Sequence, residues 1–163
     1  MLTILLAAVA GMAQGTQDFA SKFMEGCDED TAVQCVTVGP KMMEEIMRRP
    51  DTSRNEHIAQ AIQKLKSARV ITSATRGETY YRMAEDLLKK NPQRFSHAGD
   101  YRSGHAYGTF YTRKTASGDT VELIMLHTDT KAGSMVIVNL TGDIDEDFIS
   151  SLTKSFSGAA AKA

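Results

Sequence analysis

The chain has 163 residues, of which 42% are hydrophobic and 24% charged, and its formal net charge is −1. That is enough apolar material to build one core without a metal or a disulfide network. The near-neutral balance argues against nucleic-acid binding, which calls for a basic excess on one face.

Residues 1–13, MLTILLAAVAGMA, carry no charged side chain. Leu2 to Val9 is an apolar run, and Gly11 and Ala13 fit the small-x-small pattern of signal-peptidase cleavage before Gln14. The run is too short to cross a bilayer, and no transmembrane span is expected elsewhere. No Lys or Arg precedes it, so the segment reads as a truncated or degenerate export signal. The alternative is a buried N-terminal strand or helix. Residues 14–156 are then one domain, and 157–163 a flexible tail.

The next helix is expected from Thr16 to Glu25, with Thr16 as cap, Asp18 at the positive end, and Phe19, Phe23 and Met24 on one face. Gly26 ends it. Cys27 and Cys35 are the two cysteines of the chain. In an oxidising compartment they can close a small disulfide loop. Otherwise Cys35 is a buried strand residue and Cys27 an unmodified thiol. Thr31 to Val38 is rich in β-formers and reads as a strand. Pro40 opens a short helix with Met43, Ile46 and Met47 on one face. Most of the nine methionines sit at such helical spacing and read as pliable core filling.

Ile58, Ala61, Ile62 and Leu65 mark another helix, Arg69 to Ser73 a second strand, and Glu78 to Lys90 a helix that buries Tyr80, Ala84, Leu87 and Leu88. After Pro92 four strands follow: Phe95–Asp100, His105–Lys114, Val121–His127 and Met135–Leu140. Ser117-Gly118-Asp119 and Lys131-Ala132-Gly133 carry turn chemistry. Asp145 caps a last helix whose Phe148, Ile149, Leu152 and Phe156 face inward. The pattern predicts an α+β fold: an antiparallel sheet with a C-terminal four-strand meander, helices mainly on one face, and a C-terminal helix. Both alternating sets of the last strand are largely apolar, which points to a central strand, or to a sheet with little solvent on either face.

Three segments carry a family resemblance: VTVGPKMMEEIM at Val36–Met47, LKSARVIT at Leu65–Thr72, and above all LTGDID at Leu140–Asp145 between an apolar strand and a helix. Together they resemble a bacterial family, domain of unknown function 4252, of secreted or envelope proteins of Bacteroidetes. The resemblance spans Phe19 to Leu152 and is thinnest over Asn91–Tyr107. It implies export to the periplasm or beyond and a shared α+β fold. It implies no reaction and no catalytic residue.

Among motifs of chemistry, the chain has no G-x-S-x-G elbow, no H-E-x-x-H helix, no phosphate loop and no G-x-G-x-x-G. His127 and Asp129 share one side of a strand end, and His105 starts the neighbouring strand. They are the one set that reads as an acid–base or metal cluster, against the plainer reading of polar strand ends. Asp143, Asp145, Glu146 and Asp147 are dense enough to suggest calcium, yet lack the glycine and distal glutamate of a calcium loop; helix capping explains them. Tyr107, Tyr111 and Arg113 fall on one side of a strand and form the candidate binding surface, with cross-strand packing as the alternative. No cofactor is expected. The sequence therefore predicts a non-catalytic exported binding or accessory module whose partner is an envelope protein or a small ligand. The alternatives are an envelope-stress or regulatory component, and a hydrolase using His105 or His127.

Overall fold

Strands β5 (Thr120–Asp129) and β6 (Ser134–Gly142) bury side chains of both alternations, so both need covering on two faces. The computed structural model describes residues 17–27, 30–39, 41–42, 45 and 56–160, leaving aside the side chains of 56–58 and 155–160. The apolar segment 1–13, Thr16, and the expected apolar face Met43, Ile46 and Met47 lie outside the described residues, as do the side chains of Ile58 and Phe156.

The remaining strands are β1 (Val33–Val38), β2 (Leu65–Ser73), β3 (Ser96–Ser103) and β4 (Ala106–Lys114). All six join in one antiparallel sheet of order β1-β2-β6-β5-β4-β3. The meander β3 to β6 turns at Gly104, Gly118 and Gly133, each at positive φ, which glycine alone adopts without strain. The β1–β2 pair is appended to its far side, against β6.

Among the described residues four helices cover the sheet: α1 (Phe19–Glu25), α2 (Glu56–Gln63), α3 (Gly77–Lys89) and α4 (Glu146–Ala160). They do not lie mainly on one face. Phe19 and Phe23 of α1, with Tyr80, Tyr81, Ala84 and Leu88 of α3, pack on Ile71, Ile124, Leu126, Met135 and Ile137. Ala61 of α2 and Phe148 of α4 pack on Phe110, Leu123, Met125 and Leu140, which are the opposite alternation. Two cores thus sandwich the sheet. The physical reason is that β5 and β6 carry apolar side chains on both faces: covering only one side would leave Leu123, Met125 and Leu140 in water, at about 1.5–3 kcal/mol each.

Local chemistry places the helix ends. The first helix starts at Phe19, later than expected, because Asp18 is its cap and accepts a hydrogen bond from the Ser21 amide at 2.8 Å. Asp145 caps α4 as expected, accepting from the Phe148 amide at 2.7 Å. The second strand begins at Leu65, not Arg69. Leu65 completes a helical spacing with Ala61, yet α2 stops at Gln63, and Leu65 joins β2 ahead of an irregularity before Ser67. Either backbone delivers Leu65 to the same core, so spacing could not separate them. Cys27 is buried and Cys35 half-buried against the α1–α3 core.

Candidate functional site

The candidate surface of Tyr107, Tyr111 and Arg113 is built on β4, and α3 decides what becomes of it. Because α3 packs on that side of the sheet, Tyr111 is only 5% exposed and belongs to the core. Arg113 turns to the buried Glu122, its Nε donating to Oε2 at 2.6 Å. Tyr107 alone reaches a groove. The three residues share a strand face but form no common binding surface.

The groove, about 540 Å³, runs between α3 and the β3–β4 hairpin. Tyr81 and Tyr107 stand edge to face, ring centroids 5.0 Å apart. The Arg102 guanidinium lies 5.1 Å over the Tyr107 ring. Arg82, Glu85 and Asp100 complete the polar lining. Asp100 accepts from His97 Nε2 at 2.8 Å, and Glu85 pairs with Lys89 at 3.2 Å. Burial pushes the Tyr81 hydroxyl far above its usual range and raises Tyr107 as well, with Glu78 adding to the latter. Both phenols are therefore neutral donors near pH 7. One wall is β3, the terminal strand of the sheet, whose outer edge pairs with no other strand among the described residues.

His105 and His127 are held apart in role. His127 projects from β5 over Gly108, its cross-strand partner. Its Nδ1 lies 2.5 Å from the Tyr101 hydroxyl, and the two rings stack at 5.9 Å. Burial raises Tyr101 to about 12 and depresses His127, against a weaker upward pull from Asp129. Both groups are thus neutral near pH 7 and share one proton between the hydroxyl and Nδ1. A Cβ on Gly108 would overlap the Tyr101 ring and the Leu126 carbonyl, so the pair exists only because position 108 is glycine. His105 is exposed and offers its carbonyl to the amide and hydroxyl of Thr130. Asp129 Oδ1 accepts from the amides of Lys131 and Ala132, 2.9 and 3.0 Å away, and the Ala132 bond is the main cause of its lowered pKa. Among the described residues no three His, Cys, Asp or Glu side chains gather into a metal-binding group.

Two polar residues inside the sheet had been passed over in reading the sequence. Glu122 and Asn139 are fully buried. Glu122 Oε1 accepts from the Phe19 amide at 2.8 Å and from Asn139 Nδ2 at 3.0 Å. Asn139 Oδ1 accepts from the Ala20 amide at 2.8 Å. With Asp18 on the Ser21 amide, the first three amides of α1 are all satisfied. Arg69 clasps Asp18 at 2.9 and 3.2 Å and also reaches the Ser21 hydroxyl. The available signal was an acid and an amide inside strands apolar on both alternations, where no solvent-facing side exists for them.

A six-stranded antiparallel sheet between two helical layers, with a tyrosine-lined groove beside its terminal strand, defines an α+β domain. Residues 23–152 match the family described as Domain of unknown function (DUF4252), and the chain belongs to that family. No curated protein matches it. Among solved structures, a Pseudomonas aeruginosa protein of unknown function is similar at 12% identity, covering 83% of each chain, with a TM-score of 0.37. The Saccharomyces cerevisiae Ran-binding protein Mog1p is similar at 12% identity over 60% of this chain and 62% of its own, with a TM-score of 0.28. Neither overlap is deep enough to carry a role across. No helix among the described residues is long and apolar enough to cross a membrane.

Proposed function

We propose that this chain is an exported, non-catalytic binding module that holds an extended segment of another envelope protein in the groove between α3 and β3. The observation that carries the reading is the position of the Tyr81–Tyr107 pair and Arg102 beside a terminal strand. A terminal strand supplies main-chain hydrogen bonds to an added segment, and flanking pockets select its side chains. Tyrosine and arginine are the side chains that concentrate binding energy at such surfaces. The apolar run Leu2–Val9, ending in small residues, supports export.

The hydrolase reading needs a histidine and a carboxylate converging on one reacting atom. His127 Nδ1 is engaged by Tyr101, and Asp129 is engaged by a turn. That leaves binding as the better-supported use of the fold.

The test has two arms. A photo-crosslinking amino acid at Arg102, compared with one at Gln34 on the opposite edge, should give a discrete covalent adduct in the native envelope only at the groove. Equal labelling at both positions would remove the groove from the argument. N-terminal sequencing of protein from that fraction should begin at Gln14, and an intact Met1 in a cytosolic fraction would defeat the export reading.

A further inference from the structure

Arg113, displaced from the tyrosine surface, lines a second cavity at the other end of the sheet. This cavity, about 560 Å³, lies between the start of α1, the β4–β5 turn and the junction of β2 with β6. Glu122 grips the Arg113 guanidinium through Nε alone. No described residue accepts from its two Nη groups, and the side chain is 24% exposed. The fully buried carboxylate therefore fixes the plane of a guanidinium whose outer edge is left for something else. Arginine so held is a preorganised fork for a planar or tetrahedral oxyanion.

The surroundings agree in sign and chemistry. Lys66, exposed on the rim, pairs with no carboxylate among the described residues. The hydroxyls of Ser21, Thr115 and Thr141 line the wall. Asp18 is the carboxylate among the lining residues, and Arg69 holds both its oxygens. Counting Arg69 and Glu122 behind the wall, three cations face two carboxylates. One further N–H, Arg69 Nε, is buried there without an acceptor.

We propose that this cavity is an oxyanion-binding site, in which the Arg113 Nη edge and Lys66 receive the negative charge and Glu122 positions Arg113. The ligand is either a free tetrahedral anion such as phosphate or a carboxylate borne on a larger molecule. The site is separate from the groove and stands without the reading given to the groove.

The test is an amide-nitrogen NMR titration of the full chain with inorganic phosphate and, separately, acetate, at ionic strength held constant with chloride. Saturable shifts at Ser21, Thr115, Thr141 and Gly142 and at the Arg113 Nε–H are expected. Saturation by phosphate alone identifies a tetrahedral dianion; saturation by acetate as well identifies a carboxylate acceptor. Lys66→Gln, an exposed change that leaves the fold intact, should weaken binding about threefold. Arg113→Lys keeps a cation for Glu122 but loses the fork, and should weaken it about tenfold or more. Should Arg113→Lys fail to fold, the Lys66→Gln result decides. No saturable shift at these positions, or an affinity unchanged by Lys66→Gln, overturns the proposal.

Discussion

Asn139 donates to Glu122 at 3.0 Å inside the sheet, and each of the two also accepts from a backbone amide of α1. They sit on β5 and β6, and Arg113 from β4 completes their charge balance. A buried carboxylate is tolerated only when fully paired, and here every partner is supplied by the fold.

Glu122→Ala should therefore destabilise the chain by about 3–5 kcal/mol, because Arg113 loses its counter-charge and the Phe19 amide its acceptor. Replacing Glu122 and Arg113 together with leucine should recover part of that loss but not all, since the Phe19 amide stays unsatisfied. Urea unfolding of the two variants measures both. A double variant as stable as wild type would show that the amide bond contributes nothing.

Gly108→Ala should cost about 2 kcal/mol or more, as the new methyl meets both the Tyr101 ring and the Leu126 carbonyl. Adding Tyr101→Ala removes one obstruction and leaves the backbone one. The pair should be less than additive in a thermal or urea double-mutant cycle.

His127 has its pKa depressed chiefly by burial. Protonation therefore favours the unfolded chain, where the ring binds protons more readily, and stability from this residue is full above the unfolded value of about 6.5. It should fall as the pH drops through that value toward the lower folded one. Urea midpoints at pH 7.5 and 5.5 should differ less in His127→Asn than in wild type. Equal differences would mean that another group sets the acid limb.

Asp145→Ala should lower stability by about 1 kcal/mol, the ordinary worth of a lost N-cap. Calcium should shift neither protein's melting temperature. A calcium-dependent rise confined to wild type would make the acidic group a metal site.

The sequence was most informative where structure is local. Turn glycines at 118 and 133 delimited the meander, and the two-sided apolarity of Met135–Leu140 placed β6 inside the sheet. The insertion of β2 against β6 is a pairing across some seventy residues (Ser67 with Thr141) and leaves no local trace. The site failed for a related reason. Alternation rightly put Tyr107, Tyr111 and Arg113 on one side of β4, but no strand announces which of its sides a distant helix will cover. Once α3 lands there, Tyr111 becomes core, Tyr107 a groove wall, and Arg113 the partner of the buried Glu122.

The bonds that seat α1 span 103 and 119 residues. The helix is made before any strand of the sheet, yet two of its acceptors lie on β5 and β6. Until β5 and β6 exist, Phe19 and Phe23 have no sheet to cover, and a helix of seven residues has little stability alone. That helix must therefore wait unformed until β5 and β6 are made. In a chain that passes front end first through a membrane pore, it would take its place only as those two strands arrive.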